Sequence, residues 1–249
     1  MKGERLTAEI PIIETRDVCK SYMMGDTEVK AICGVNLSIK RGEFVSITGH
    51  SGSGKTTLLD VLSALLRPTS GEVLIDGKPI SEMSDSELAV LRGSTIGFIF
   101  QNFELVKRLS ALENVMMPLW FQGIPIAERK RKAEKILSEV GLADRMDHRP
   151  DELSGGQRQR VAIARALATD PEIIVADEPT GNLDSVSGAK ILELIDELHQ
   201  KHGKTILVVT HERYVAERAE RIIHIKDGQV EKSEAGKNHK ASKIRRDYK

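Results

Sequence analysis

The chain contains 249 residues, and its 37 Lys and Arg residues balance 37 Asp and Glu residues, so the formal net charge is zero. Such a balance gives no global attraction to nucleic acid, and no nucleic-acid partner is expected. No apolar run approaches the ~18 residues that cross a bilayer, and the N-terminus shows no signal peptide. Cys19 and Cys33 are the only cysteines and lie in no metal-binding or redox spacing, so reduced thiols in a cytosolic setting are predicted.

The first third of the chain is predicted to be mostly β. Residues 9–20 are interpreted as an edge strand, because Pro11 near their start cannot donate to a sheet ladder. Two extended pieces follow within 29–39, and the apolar run Phe44–Thr48 indicates a short buried strand. The pattern then predicts two further elements, a helix over 58–66 and a strand with a turn over 72–77.

Helical periodicity takes over from Ser84. The elements predicted in this region are a short helix over 85–92, a strand over 96–100 and helices over 126–140 and 155–168. Strands and helices then alternate, which is typical of α/β domains with a parallel sheet. The predicted strands lie at 172–176, 205–209 and 221–225, and the predicted helices at 186–202 and 212–219.

A glycine-rich loop joins the strand Phe44–Thr48 to the helix that follows it. It fits the pattern G-x-x-x-x-G-K-[ST] with the residues Gly49, His50, Ser51, Gly52, Ser53, Gly54, Lys55, Thr56 and Thr57. Its glycines let the backbone turn tightly and point several N–H groups inward, beside the positive end of the helix dipole. This arrangement predicts a polyphosphate site, in which Lys55 reaches the terminal phosphates and the Thr56 hydroxyl ligates Mg²⁺. A glycine-rich turn that binds nothing is the alternative, and the strand–loop–helix context argues against it.

Two carboxylates, Asp177 and Glu178, follow the apolar strand at 172–176. The carboxyl ends of parallel strands form the edge at which open α/β sheets bind their ligands. We expect Asp177 to hold Mg²⁺ through water, and Glu178 to act as general base on the attacking water. An acidic loop without a catalytic role is the alternative, and the upstream phosphate loop makes the catalytic interpretation the stronger one.

Three further side chains are weaker candidates for the same site. His211 follows the strand at 205–209 and could contact the γ-phosphate and the water. Gln101 follows the strand at 96–100, and its amide could reach Mg²⁺ and the water. Tyr22 is an aromatic residue in a polar context and could stack on a purine ring. Taken alone, each is more often an ordinary surface or packing residue.

A second glycine-rich helix start follows Leu153 and consists of Ser154, Gly155, Gly156 and Gln157. It predicts a second anion cradle, but only the first cradle has the lysine and the carboxylates. A head-to-tail dimer accounts for this arrangement, because each chain's second cradle then covers the nucleotide of its partner. Asp184, just past the carboxylate pair, is predicted to cross that dimer interface.

Together, these motifs resemble those of ABC transporter ATPase subunits. The resemblance spans roughly 10–232. The motifs that carry it occur in the order typical of the family: Tyr22, the phosphate loop, Gln101, the Leu-Ser-Gly-Gly-Gln sequence, Asp177-Glu178, Asp184 and His211. The residues of 98–103 and 177–184 are similar to those of the lipoprotein-release and macrolide-efflux branch, and a cell-division ATPase is close to that branch. His50 departs from the more usual Pro, but its side chain need not touch phosphate.

The resemblance implies an α/β fold, with a P-loop NTPase core, an N-terminal antiparallel β subdomain and an inserted α-helical subdomain over about 86–160. It implies a single ATP-binding domain over 1–232, ATP hydrolysis with Mg²⁺, and homodimer closure on ATP binding. It also implies membrane permease subunits as partners, at the cytoplasmic face of the cell membrane. A non-transporting ATPase switch acting on a membrane partner, as in the cell-division relatives, is the alternative. DNA-repair and translation ATPases of this kind carry long coiled coils or two such domains, and this chain shows neither.

Two segments are candidate contacts at the membrane. The apolar stretch that includes Phe103, Leu105 and Trp120 is predicted to line a groove in which a permease helix docks, and packing inside the helical subdomain is the alternative. The segment 233–249 is predicted to be a disordered polar tail. Its basic residues could touch anionic lipid, and a solvated tail is the alternative. They are Lys237, Lys240, Lys243, Arg245, Arg246 and Lys249.

Overall fold

A computed structural model of the protein describes residues 10–236. Its strands are, in chain order, β1 (Ile13–Met24), β2 (Thr27–Ile39), β3 (Phe44–Thr48), β4 (Ser70–Ile75), β5 (Lys78–Pro79), β6 (Ile96–Ile99), β7 (Ile173–Asp177), β8 (Thr205–Val209), β9 (Arg221–Lys226) and β10 (Gln229–Ala235). Its helices are α1 (Lys55–Leu62), α2 (Asp85–Thr95), α3 (Ala111–Phe121), α4 (Ile126–Glu139), α5 (Gly155–Leu167), α6 (Ser185–His202) and α7 (Arg213–Ala216), with short 3₁₀ turns at Ile80–Glu82 and Pro150–Glu152.

The larger sheet forms the centre of the fold, in the order β10-β9-β3-β8-β7-β6. The strands β9, β3, β8, β7 and β6 run parallel, and β10 pairs antiparallel with β9. Nearly every residue of the central strands β3, β7 and β8 is buried, as expected for strands covered on both faces. Because these strands are parallel, their carboxyl ends meet at one edge, where Thr48, Asp177 and Val209 are the last residues.

The smaller sheet is antiparallel, in the order β2-β1-β4-β5. β1 lies between β2 and β4, so the prediction of an edge strand in this region is wrong. Pro11 precedes the first residue of β1 and therefore leaves the ladder of that strand intact. The buried face of this sheet packs, through Ile13, Val18 and Val35, into one apolar cluster with α1 and with residues of the larger sheet.

Helices α3, α4 and α5 pack around a separate apolar cluster that includes Val115, Leu119, Leu137 and Val161. β6 lies within 86–160, the range predicted for the helical subdomain, yet it pairs with β7 in the larger sheet. Within residues 10–236, none of the helices is long and apolar enough to cross a bilayer.

The C-terminal strand corrects the predicted start of the polar tail. The sequence predicts disorder from residue 233, but β10 continues to Ala235 in register with β9. Backbone hydrogen bonds hold this polar strand, and Glu234 adds side-chain contacts with His224 and Lys232. Polar composition alone therefore does not distinguish an exposed edge strand from a disordered segment. The basic residues predicted to touch lipid belong to 237–249, outside the described residues.

Cys19 and Cys33 form a disulfide between β1 and β2, which corrects the prediction of two reduced thiols. Antiparallel pairing, with a register shift at this point, brings the two Cα atoms within 3.9 Å. The sequence carries no local signal for the bond, because the pairing of the two strands decides which side chains meet. Reducing compartments disfavour such bonds, so the disulfide gives the predicted cytosolic setting no support.

Candidate functional site

The phosphate loop between β3 and α1 approaches neighbouring backbone so closely that two of its positions require glycine. A Cβ atom on Gly49 would lie 2.3 Å from the carbonyl oxygen of Ile225, and one on Gly54 would lie 2.5 Å from that of Ala31. Gly54 also has a φ of 96°, in the left-handed region that other residues disfavour. The loop is therefore held between β2 on one side and β9 on the other.

Helix α1 starts inside this loop, with Gly54 as its N-cap residue and hence without a capping side chain. The N–H groups of its first turn, together with the helix dipole, therefore favour an anion. Lys55 is 8% exposed, and its Nζ donates to the carbonyl oxygens of Gly49 and His50 at 2.9 and 2.8 Å. The ammonium group is thus held within the loop. Phosphate oxygens are stronger acceptors than carbonyl oxygens, so a bound phosphate would compete for this donor.

The loop borders a cavity of about 1160 Å³, a volume sufficient for a nucleotide. Most of the predicted phosphate-binding residues line it, together with two predicted catalytic residues. They are Gly49, His50, Ser51, Gly52, Gly54, Lys55, Thr56, Thr57, Glu178 and His211. Ser53, the remaining loop residue, is buried.

Sequence patterns missed a second group of lining residues, which come from β2 and from β9 with the turn after it. They are Val29, Lys30, Ala31, His224, Asp227 and Gly228. These two regions are far apart in sequence but touch here, since a Cβ on Gly228 would lie 2.6 Å from the carbonyl oxygen of Ala31. The sequence does indicate a turn at Gly228, but no local signal assigns that turn to the site.

Glu178 directly follows β7, and its side chain lies at the cavity beside His211. The Nδ1 of His211 is 2.9 Å from Oε1 of Glu178, so an ionised carboxylate accepts a hydrogen bond from Nδ1–H. The backbone of Glu178 has a φ of 43°, a strained value for a residue other than glycine. Its N–H donates to Val209 at 2.9 Å, and its carbonyl accepts from Gly181 at 3.0 Å. These bonds fix the direction in which the carboxylate points.

Asp177 is the last residue of β7 and is partly buried. Burial raises the pKa of its carboxyl, and the nearby charges of Glu178 and Asp60 raise it further, while Lys55 opposes them. Negative charge is therefore concentrated at this edge of the sheet, where a cation is stabilising. Within residues 10–236, no three His, Cys, Asp or Glu side chains form a cluster able to hold a metal. Mg²⁺ at nucleotide sites needs only one or two carboxylates, with phosphate and water completing its shell, so these residues fit it.

Gln101 and Tyr22 are not among the residues that line the cavity. The Nε2 of Gln101 packs against Gly181, where an added Cβ would be 2.8 Å away, and its backbone carbonyl accepts from Asn182 at 3.0 Å. Tyr22 is 40% exposed on β1, directly opposite Val29, which does line the cavity. The same Cβ on Gly181 would be 3.4 Å from Oε2 of Glu178, so Gln101 lies near that carboxylate. Tyr22 lies beside the cavity wall at Val29.

The second glycine-rich helix start, at the beginning of α5, lies outside this cavity. Ser154 caps the helix, since its hydroxyl accepts from the Gln157 N–H at 3.3 Å and its own N–H donates to Gln157 Oε1 at 2.9 Å. Gly155 and Gly156 form the first turn, and a Cβ on Gly156 would lie 3.0 Å from Ser187. Because Ser154 is exposed, this cradle is open to a second molecule.

Asp184, predicted at a dimer interface, makes contacts inside its own chain. Its carboxylate caps α6 by accepting hydrogen bonds from the N–H groups of Val186 and Ser187 at 3.1 and 2.9 Å. The bond from Ser187 is the main cause that lowers the pKa of Asp184. Asp184 therefore fixes the start of α6 beside the first turn of α5.

A smaller groove of about 380 Å³ opens between the larger sheet and helices α3 and α5. Phe98 and Phe100, stacked with ring centroids 5.8 Å apart, line one part of it, and Met117 and Pro118 of α3 line another. Leu105, predicted to lie on a docking surface, instead packs into the cluster of α3, α4 and α5. Met117, which belongs to the predicted apolar stretch, does line the groove, whereas Phe103 and Trp120 do not.

Comparison with known proteins shows a match between residues 32–181 and the ABC transporter family. The chain is 52% identical over 220 residues to an uncharacterized ABC transporter ATP-binding protein of Thermotoga maritima. This alignment covers 88% of this chain and 94% of that protein. It is 51% identical over 220 residues to the macrolide export ATP-binding/permease protein MacB of Hyphomonas neptunium, covering 88% of this chain and only 34% of that longer protein.

A solved structure of the ATP-binding cassette MJ0796 from Methanocaldococcus jannaschii is also similar, with a TM-score of 0.84 and 48% identity. The match covers 90% of this chain and 98% of that one, which is a dimer in a post-hydrolysis state bound to ADP and Pi.

The family match spans more than half of the chain, and the relatives extend it over nearly the whole described fold. The resemblance to the macrolide-efflux branch is confirmed, as is the α/β fold with a P-loop NTPase core. The chain belongs to the ABC transporter family, as an ATP-binding and ATP-hydrolysing transporter subunit.

Proposed function

We propose that ATP hydrolysis occurs in the cavity at the carboxyl edge of the larger sheet, with Lys55 and the loop N–H groups binding the terminal phosphates. The observation that carries this proposal is the Glu178–His211 pair, which opens onto the same cavity as the loop. Glu178 takes a proton from the attacking water, whose oxygen bonds to the γ-phosphorus. The bond from phosphorus to the bridging oxygen breaks, giving ADP and phosphate. His211 contacts the water and the γ-phosphate.

Thr56, Asp177 and Gln101 are the proposed Mg²⁺ residues, through a hydroxyl, a carboxylate and an amide oxygen. The position of Asp177 at the carboxyl end of β7 supports the assignment, since Glu178 and Asp60 add negative charge there that a cation would offset. When bound, the ion would neutralise charge on the phosphates. Tyr22 is proposed to stack on the adenine beside Val29, from its exposed position on β1.

Two copies of the chain are proposed to close head to tail around two ATP molecules. The cradle of Ser154, Gly155, Gly156 and Gln157 supports this, because it lies outside the chain's own cavity and only a second chain brings it to a nucleotide. The dimeric state of the solved relative supports the same arrangement. Asp184 lies beside the first turn of α5 and would come close to the partner there.

Ser154→Arg is expected to prevent ATP-driven dimer formation, because a bulky side chain then fills the second cradle. Binding of ATP to the monomer should be unchanged, since other residues line the chain's own cavity. Sedimentation velocity with ATP and Mg²⁺, in a Glu178→Gln background that retains ATP, measures the effect. Ser138→Arg, an exposed position on α4, is the matched control and should still dimerise. Dimers of the Ser154→Arg variant would contradict the head-to-tail arrangement.

A membrane permease subunit is the proposed partner, with the groove beside Met117 and Pro118 as its docking site. Relatives in which such a cassette is joined to a permease support this partner, and an apolar groove suits an amphipathic helix. The chain would then be a peripheral subunit at the cytoplasmic face of the cell membrane. Contact of the basic residues within 237–249 with anionic lipid is proposed in addition, at about 1 kcal/mol per basic residue. Vesicle co-sedimentation of a chain ending at residue 236 tests that contact.

Met117→Glu is expected to abolish co-purification with the permease, because a helix docked in the groove would take the new carboxylate out of water against apolar surface. The measurement is the yield of permease on the tagged chain after co-expression and detergent extraction. Met24→Glu is the control, since it makes the same substitution at an exposed apolar residue of the antiparallel sheet, where Met24 is 69% exposed. Equal permease yields from both variants would rule out this groove.

A further inference from the structure

Gln159 is a buried polar residue of α5 that the mechanism above does not use. Its side chain is 0% exposed, and its Nε2 donates to the carbonyl oxygen of Pro179 at 2.8 Å. Its amide oxygen, Oε1, is buried without a hydrogen-bond partner. A buried, unpaired acceptor is destabilising, so Gln159 is not explained by stability alone. The contact with Pro179 is the feature that sets it apart from an apolar residue of the same size.

The acceptor of this bond lies next to the proposed general base. Pro179 directly follows Glu178, is buried, and has no N–H of its own to donate. The backbone of Glu178 is strained, with a φ of 43°. Its own backbone hydrogen bonds are to Val209 of β8 and to Gly181 in the turn that follows. Gln159 adds the restraint that reaches this turn from a different element, helix α5.

The first turn of the same helix carries the cradle for the partner's nucleotide. A Cβ on Gly155 would lie 3.3 Å from Leu183, and one on Gly156 would lie 3.0 Å from Ser187. The start of α5 is therefore in close contact with the segment that follows Pro179. Helix α5 therefore contacts this segment at two places, at Pro179 through the bond from Gln159 and further on at Leu183 and Ser187. A displacement of α5 would consequently move the peptide that joins Glu178 to Pro179.

We propose that Gln159 is a positioning residue that couples the state of helix α5 to the orientation of Glu178. When the cradle engages the partner's ATP, α5 is held in place, and the bond to Pro179 holds the preceding residue, Glu178, in its productive direction. Gln159 itself contacts neither ATP nor the water. The inference rests on the proposed dimer, since the cradle has no nucleotide without it.

Gln159→Met tests this role, because methionine has a similar length and volume but cannot donate to Pro179. The kcat for ATP hydrolysis is expected to fall about tenfold, with the KM for ATP changed by less than about twofold. In the Glu178→Gln background, the variant should still form the ATP-bound dimer. A loss confined to kcat separates positioning of the base from damage to the cradle.

Thr15→Val is the matched control for the loss of a buried hydrogen bond. Thr15 is 3% exposed, and its hydroxyl donates to the carbonyl oxygen of Val35 at 3.1 Å and accepts from the N–H of Leu37 at 2.8 Å, in the antiparallel sheet away from α5. Its kcat should stay near that of the wild type. If Gln159→Met lowers the melting temperature much more than this control does, Gln159→Leu, which also lacks a donor and introduces no charge, replaces it and should also lower kcat.

Several outcomes would overturn the proposal. If the kcat of the Gln159 variants lies within twofold of the kcat of Thr15→Val, the bond does not position the base. If the variants lose dimer formation to the same extent as kcat, the substitution damages the cradle, and the positioning role is likewise contradicted. Failure of Glu178→Gln alone to dimerise would instead contradict the proposed dimer, so the two failures are distinguishable.

Discussion

Glu178→Gln is expected to lower the rate of ATP hydrolysis at least about 100-fold, the lower range for losing a general base. Glutamine keeps the size of the side chain and can still hydrogen-bond to His211, but it cannot take the proton of the attacking water. Because ATP binding is unaffected, nucleotide remains in place and the closed dimer accumulates. Phosphate release measures the rate, and sedimentation velocity with ATP and Mg²⁺ measures the dimer.

Glu139→Gln is the matched control, because it removes an exposed carboxylate of α4 whose nearest basic partner, Lys135, lies 3.9 Å away. This variant should hydrolyse ATP at the wild-type rate and form no lasting dimer. Turnover near wild type in Glu178→Gln would assign the base to another residue. Slow turnover without a dimer would keep the base and contradict the head-to-tail closure.

The parts of the site that depend on one short segment were predictable from the sequence. The phosphate loop is such a part, because a strand, three glycines and a helix start fix both the path of its backbone and the direction of its N–H groups. The placement of Glu178 beside His211 followed from a rule about parallel strands, since both residues come just after central strands of the larger sheet.

The remaining contributions depend on which distant segments meet. Ala31 and Gly228 reach the cavity because β2 crosses the turn after β9, and neither segment carries a motif. The disulfide between Cys19 and Cys33 depends in the same way on the pairing of β1 with β2. Gln159 shows a third limit, since a single polar residue in a helix does not reveal whether it is exposed or buried.

Lys55→Ala is expected to reduce ATP hydrolysis to background and to weaken ATP binding about 10- to 100-fold. That loss corresponds to about 1.5–3 kcal/mol, the usual contribution of a hydrogen bond to a charged group. The ammonium group opposes the charge of the phosphates, and it also bonds to the carbonyls of Gly49 and His50 within the loop. Calorimetry measures the affinity, and phosphate release measures the rate.

Lys55→Met separates the charge of the side chain from its packing. Lys55 is 8% exposed, so its aliphatic stem fills space that methionine also fills, while alanine leaves a gap. If the charge is what matters, both variants lose hydrolysis to the same extent. Activity retained in Lys55→Met and lost in Lys55→Ala would mean that the residue acts by supporting the loop. Near-wild-type turnover in both would contradict the assignment of Lys55 to the phosphates.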